Sequence, residues 1–394
     1  MSYRLLTGTA GALLDPLLAL GGANWRARSG RPQDGEALPQ GGIWVHGASL
    51  GEIASARWLI AALAARGPVV VTTNTATGLA AARALGVPAV PAPLDTPQAV
   101  GRFLRRTRPR AAVTIEGELW PTRSALLAGM GVPQIVVGAR LSARSAARWA
   151  RLPGLIGPVL GRLAAVSAQD AGSEARLLAL GLPPDRLLAR VDLKLVGPAR
   201  AALPPPSAGR AAVILAASTH AGEEEVILDA VRGLPGARLI LAPRHPQRFD
   251  AVAALMTAAG LPPARRSAGA GAEAPVLLAD SMGEMDRWYA ESGICLTGGS
   301  WQPRGGHTPW EPAAAGCAIV HGPFIDNFAE SYARLDGAEA ALAVDGSRLR
   351  GSLAELLADP ARQRRMGQAA QAILQAEAGD GAALIAEIAR IAGS

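Results

Sequence analysis

Short apolar runs alternate with helix-like stretches along the whole chain. In the first half they read IWVHG, VVVTTN, AAVTI, QIVVGA and LAAVSA. In the second they read AAVILAAS, ARLILAP, PVLLAD, GICLTGG and AIVHG. Between them lie stretches rich in Ala, Leu and Arg, such as 53–65 and 222–232. This alternation predicts parallel sheets covered by helices, an α/β class. It is interrupted by LVGPARAALPPPSAGR, whose prolines suit a connector. The expected division is an N-terminal domain over 1–195, a linker over 196–210 and a C-terminal domain over 211–394. In open α/β sheets, ligands bind beyond the carboxyl ends of the strands. Polar residues should therefore gather where the apolar runs stop. All five histidines (46, 220, 245, 307 and 321) lie in or just after such ends, and together they suggest a cleft.

Charge narrows the partners. The net charge is +7, which favours phosphates, nucleic acid or an acidic membrane surface. Only 4% of residues are aromatic, so stacking platforms for nucleic acid are scarce. Cys295 and Cys317 lie in apolar runs and read as buried thiols. No histidine pair has i, i+4 metal-ligand spacing, and no D-x-D motif occurs. Neither a metal nor a cofactor is expected. Of 39 Lys plus Arg residues, Lys194 is the one lysine. That marks either chance or a place where a guanidinium cannot replace a compact ammonium. The N-terminal apolar run is broken by Asp15 and Pro16, too short to cross a bilayer. It reads either as an interface helix followed by Arg26, Arg28 and Arg31, or as an ordinary helix packed on the protein. Arg140, Arg144, Arg148 and Arg151 recur at helical spacing, a solvated face or a patch for an anionic membrane.

The stretch IWVHGASLGEIASARWLI, 43–60, admits three readings. Gly47 to Gly51 spells G-x-S-x-G, a serine nucleophile elbow. Ser49 to Glu52 spells S-x-x-E, a helix capping box. Glu52 is also placed to serve as a catalytic carboxylate. The hydrolase reading with Ser49 lacks an upstream oxyanion segment, and the pattern is permissive among 46 glycines. Capping-box spacing recurs at Ser281-x-x-Glu284 and Thr308-x-x-Glu311, the latter with Pro309 at the expected first helical position. Helix starts of this kind suit phosphate groups. Four glycines in GGSWQPRGGHTPWEP allow close backbone approach. Arg244 follows a strand in LAPRHPQRF and suits bidentate phosphate binding. Glu116 and Glu118 fall at a strand end in VTIEGELWPTR.

Taken together, HGASLGE, VTTNTATG, IEGELWP, ARLSARS, ASTHAGEEE, PRHPQRF, DSMGEMDRWY, GGSWQPRGGHTPWEPAAAG and GPFIDNF resemble the 3-deoxy-D-manno-octulosonic acid (Kdo) transferases of lipopolysaccharide synthesis. The resemblance spans roughly residues 25–380. It implies a GT-B fold, with two Rossmann-like domains facing across a cleft, the first binding the acceptor. It also implies an inverting, metal-independent glycosyltransferase that moves Kdo from CMP-Kdo to a lipid A precursor. The resemblance places that work at the cytoplasmic face of the bacterial inner membrane. By motif match, Glu52 takes the place of the general base, and Glu116 and Lys194 assist the transition state. Pro243, Arg244, Met282, Gly283, Glu284, Thr308, Pro309, Trp310 and Glu311 match the CMP-binding segments. Three positions depart from the family pattern: Thr308 stands for an Asn, Gly117 for a Thr and Val196 for an acid. Two readings remain beside the transferase: a serine hydrolase using Ser49, and a non-catalytic sugar-nucleotide or lipid-binding protein on the same scaffold.

Overall fold

The computed structural model describes residues 3–20, 22–32, 37–205 and 208–393. The chain forms two compact units. One comprises the chain up to Gly197 together with the chain from Glu377, and the other runs from Pro198 to Ala376. The final helix, Gly381–Ile391, therefore belongs with the first unit, whereas the sequence reading placed it with the second. Alternation along a chain cannot show on which unit a terminal helix packs. Here Gly381 lies directly over Val196 and the Trp58 ring, leaving no room for a Cβ. The proline-rich connector also begins inside a helix, Leu193–Ala199.

In the first unit, the described strands are β1 (Ile43–His46), β2 (Val69–Thr73), β3 (Ala89–Pro91), β4 (Ala111–Ile115), β5 (Gln134–Ala139) and β6 (Leu163–Ala168). They pair in parallel in the order β3-β2-β1-β4-β5-β6. The order reverses between β1 and β4, the arrangement of a Rossmann sheet. β1 and β2 are buried throughout, which explains why they read as continuous apolar runs. Trp44 stacks at a tilt on Phe103, 4.6 Å between centroids, beneath the helix Pro97–Thr107.

In the second unit the described strands are β7 (Val213–Thr219), β8 (Arg238–Pro243), β9 (Ala264–Arg265), β10 (Val276–Leu278), β11 (Ile294–Thr297), β12 (Ala318–His321) and β13 (Ala341–Ala343). All pairs are parallel, in the order β13-β12-β11-β7-β8-β10-β9. Here the order reverses between β7 and β11. Cys295 and Cys317 are buried in this unit, as their apolar surroundings require. Desolvation pushes the Cys317 thiol up to about 12.

The N-terminal helix, Tyr3–Leu20, packs on the first unit. The Tyr3 hydroxyl donates to Asp95 at 3.2 Å, and the Thr7 and Thr122 hydroxyls meet at 3.1 Å. Leu13 and Leu20 remain 77% and 87% exposed. Among the described residues, no helix is long and apolar enough to cross a membrane.

Candidate active site

Both switch points carry the residues singled out in the sequence. In the first unit, β1 ends at His46 and leads through Gly47 and Ala48 into the helix Leu50–Ser55. Ser49 is its N-cap, accepting the Glu52 N–H at 3.4 Å. The Glu52 carboxylate turns back to accept the Ala48 N–H at 2.7 Å and the Ser49 hydroxyl at 3.3 Å. This is the capping-box reading, displaced by one residue at its return bond. Desolvation raises the Glu52 pKa above the usual 4.5. The Ala48 bond opposes that rise, and the charges of Glu116 and Glu118 add to it. The hydrolase reading finds no histidine on Ser49 among the described residues. His46 Nε2 donates to Glu118 at 3.0 Å and its Nδ1 accepts from the Thr72 hydroxyl at 2.9 Å, while Ser49 bonds to Glu52.

Across the switch point, β4 ends at Ile115 and Glu116 takes a left-handed conformation, φ 59°. Its N–H donates to Val137 at 3.0 Å, and its carbonyl accepts from Arg140 at 3.3 Å. Those two bonds hold a backbone shape that is uncommon for a residue with a side chain and is frequent at functional sites. Gly117 follows because a Cβ there would sit 2.9 Å from the Arg140 carbonyl oxygen. The Glu116 carboxylate pairs with Lys194 Nζ at 3.3 Å. Asp192 accepts the backbone N–H of Lys194 at 2.9 Å and the Gln169 side-chain amide at 3.3 Å. Val196, which stands for the family's acid, is buried. Asp192, two residues upstream, thus fixes the backbone at Lys194, which the motif match did not reveal.

Glu118 was noted in the sequence only as a strand-end acid. The structure surrounds one of its oxygens with three donors: His46 Nε2 at 3.0 Å, Asn74 Nδ2 at 3.1 Å and Trp120 Nε1 at 2.7 Å. Desolvation would raise its pKa, but the bonds from His46, Trp120 and Asn74 outweigh it and bring the carboxyl down to about 2. Desolvation and then the Arg123 charge lower the His46 pKa to about 4. The imidazole is therefore neutral, donating through Nε2. Its Nδ1 accepts from Thr72, whose hydroxyl accepts the Trp44 indole N–H at 2.8 Å.

In the second unit the carboxyl ends of β7, β8 and β11 gather cationic and imidazole side chains. His220 and His307 approach at 2.9 Å between Nε2 atoms, and the His245 ring lies edge-on to His220 at 5.3 Å. Desolvation lowers the pKa of both His220 and His307. For His220 the next causes are His245, Arg304, Arg248 and Arg244; for His307 they are His220 and Arg244. Arg244 follows the buried Pro243, and its N–H ties the end of β8 to Thr219 at 3.0 Å. Among the described residues the Arg244 and Arg304 guanidinium groups have no carboxylate partner, whereas Arg248 is held by Glu224 at 2.6 Å. Glu223 is fully buried and accepts the N–H groups of His220, Gly299 and Trp301 at 2.9, 2.8 and 2.9 Å. It locks the glycine-rich loop against β7. Gly298 is obligatory there, since a Cβ would fall 2.3 Å from the Ser218 carbonyl oxygen.

The two other capping boxes are not built as expected. The helix after Thr308 starts at Trp310, with Pro309 at its N-cap, and the Thr308 hydroxyl accepts the Trp310 N–H at 3.3 Å. Thr308 thus fills a helix-start role without the family's amide. Glu311 accepts the Tyr289 hydroxyl at 3.1 Å. Its pKa is raised by desolvation, against that bond and the nearby Arg244. The helix after Ser281 starts only at Met285. Glu284 turns instead to Arg266 at 2.8 Å and to the Ser281 hydroxyl. These bonds, that to Arg266 first, lower its carboxyl to about 2. Met282 is exposed and Gly283 is left-handed at φ 82°. Arg266 holds this loop through charged bonds to both Glu284 oxygens. Among the described residues no group of His, Cys, Asp or Glu is arranged to hold a metal.

The fold is shared with a glycosyltransferase from Rickettsia africae over 90% of this chain and 98% of that chain, with a TM-score of 0.53 and 12% identity, a likeness of fold alone. The two parallel-sheet units place the chain in the GT-B fold class. The profile of 3-deoxy-D-manno-octulosonic-acid transferase (kdotransferase) matches residues 23–196. The 3-deoxy-D-manno-octulosonic acid transferase of Bordetella pertussis is 38% identical, covering 86% of this chain and 84% of its own length. That of Haemophilus influenzae is 32% identical over 86% and 85%. The chain belongs to the Kdo transferase family.

Proposed function

We propose that the protein transfers Kdo from CMP-Kdo to a lipid A precursor with inversion, using Glu52 as the general base. The observation that carries this reading is the Glu52 carboxylate. It is pinned by the Ala48 N–H at the β1/β4 switch point, with its pKa raised by burial and by Glu116 and Glu118. A raised pKa makes a carboxylate a better proton acceptor from a sugar hydroxyl. Glu116 and Lys194, paired at 3.3 Å, supply opposite charges suited to the charge that develops at the anomeric centre and the leaving group. In the second unit, Arg244, Arg304 and the neighbouring histidines provide preorganised positive charge and N–H donors for the CMP phosphate. Pro243, Thr308, Pro309, Trp310 and Glu311 frame that site, and Met282, Gly283 and Glu284 form a further rim after β10. The place of work is the cytoplasmic face of the bacterial inner membrane, with the protein peripheral to it. The exposed leucines of the N-terminal helix and the basic helix Ala143–Ala150 support this placement.

The test is release of CMP from CMP-Kdo in the presence of lipid A precursor. Glu52→Gln should fold normally and lose transfer by roughly 100-fold or more. Near-normal turnover removes Glu52 as the base. Wild-type activity should rise with pH through a pKa above 4.5, because the working form is the carboxylate and its pKa is raised. Ser49→Ala should lower stability by about 1 kcal/mol, as cap losses do, with activity largely kept. That outcome also separates this reading from the hydrolase one, in which Ser49 is indispensable.

A further inference from the structure

The side chains around Glu118 have no place in the mechanism so far, yet they are built with care. Trp120 is 39% exposed at the β1/β4 switch point. Its indole N–H is not exposed to need: it donates to Glu118 at 2.7 Å. What the ring offers to solvent is therefore its carbon surface. The ring is also held in place, because Glu118 is itself fixed by His46 and Asn74. The three bonds converge on Oε2, and Oε1 has no protein partner among the described residues. Asn74 must point its amide N–H₂ at the ionised carboxylate, since its carbonyl would be repelled. Its own carbonyl oxygen has no protein partner among the described residues either.

A rigid apolar ring face beside two unpartnered oxygen acceptors matches the chemistry of a pyranose, which has a C–H face and hydroxyl donors on its edge. The acid among these groups is close enough to Glu52 to raise its pKa. The geometry points to Trp120, Asn74 and Glu118 as the subsite for the acceptor's sugar ring. Trp120 is the stacking platform, and Glu118 is the positioning residue that fixes the platform. This rests on the assignment of Glu52 as base, and it deepens that assignment by naming where the acceptor sugar lies. An exposed tryptophan also suits a membrane interface. The sugar is favoured because the indole N–H is engaged by the Glu118 carboxylate rather than left for lipid headgroups.

The experiment uses the full chain, CMP-Kdo and a lipid A precursor stripped of its acyl chains, so that no membrane is present. Trp120→Ala should raise the acceptor KM roughly tenfold, equivalent to about 1.4 kcal/mol. The kcat and the CMP-Kdo KM should stay within about twofold, as expected when ground-state binding is lost. Trp120→Phe keeps a ring face and should recover most of the affinity. Glu118→Gln should move the acid limb of the pH profile to lower pH by removing a charge that raises the Glu52 pKa, a change that a merely structural role would not make. An unchanged acceptor KM in Trp120→Ala, a loss confined to kcat, or a defect seen only in vesicle binding each overturns the subsite. Failure of the underlying reading looks different: wild-type protein would not release CMP, or Glu52→Gln would turn over normally.

Discussion

At the residue scale, the first unit separates three neighbouring glutamates by their partners alone. Glu118 receives three strong donors and stays ionised down to about 2. Glu52 receives one backbone N–H, lies partly desolvated and faces two like charges, so its pKa rises. Glu116 faces Lys194. Environments that push neighbouring acids apart are how acid–base roles are assigned. Lys194 is the chain's one lysine, and its ammonium meets Glu116 from a backbone fixed by Asp192. A planar guanidinium carries the same charge with different reach and direction. Lys194→Arg should therefore lower kcat by about tenfold or more while leaving the CMP-Kdo KM near wild type, the mark of an interaction made in the transition state. Steady-state kinetics that match wild type would show arginine to be as good here as elsewhere in the chain. Both the singular lysine and Glu52 were legible in the sequence. Asp192 was not, because its role depends on how the chain bends between Val191 and the following helix. The placing of Asn74 beside Glu118 was hidden for a similar reason: they stand on loops 44 residues apart.

At the scale of elements, strands were more legible than helix starts. Parallel strands buried on both faces must be apolar runs, so β1, β2, β7 and β8 announce themselves. Three S/T-x-x-E spacings looked alike in the sequence, yet they fold in three ways. Ser49 caps its helix, Thr308 bonds two residues on beside a proline N-cap, and Glu284 leaves its helix for Arg266. The competing partner, invisible in the local pattern, decides each case. The glycine-rich loop shows the same dependence on distant residues. Glu223 clamps it through three N–H groups, and Gly298 lies under the Ser218 carbonyl. Gly298→Ala should displace the loop, since the carbonyl it meets is backbone and cannot rotate away. Calorimetry should then show CMP affinity falling at least as far as in Arg244→Ala. There, loss of a bond to a charged group should weaken binding by about 1.5–3 kcal/mol. Unchanged CMP affinity in Arg244→Ala would remove that arginine from the phosphate site. Wild-type affinity in Gly298→Ala would show that the loop lies outside it.

At the scale of the whole molecule, the two halves were legible as two rounds of strand–helix alternation. The return of residues 377–394 to the first unit was not, because a helix of alanine, leucine and isoleucine fits either apolar surface. The sequence left two readings of the N-terminus, and the structure gives each a face. Tyr3, Thr7 and Gly8 hold the helix to the first unit, while Leu13, Leu20, Trp25 and Arg26 are exposed to solvent. The helix Ala143–Ala150 has no buried residue, and Arg140, Arg144, Arg148 and Arg151 are exposed along it and at its ends. Of its apolar residues, Ala146 and Trp149 pack partly buried against the core. Its arginines instead form a cationic surface in a chain of net charge +7. Such a surface is attracted by anionic lipid and screened within about 8 Å at physiological salt. Flotation with vesicles should therefore show binding that grows with the anionic lipid fraction and weakens as salt is raised. The two features act differently. Arg144→Gln with Arg148→Gln should reduce the dependence on anionic lipid and on salt, because it removes charge alone. Leu13→Ser with Leu20→Ser should weaken binding at every lipid composition and leave the salt dependence in place, because it removes apolar contact. Neither pair lies among the residues assigned to chemistry, so turnover of an acyl-free acceptor should stay at the wild-type rate in both. Protein that stays with the soluble fraction at every anionic lipid content would refute membrane docking and leave the basic helix as a solvated face.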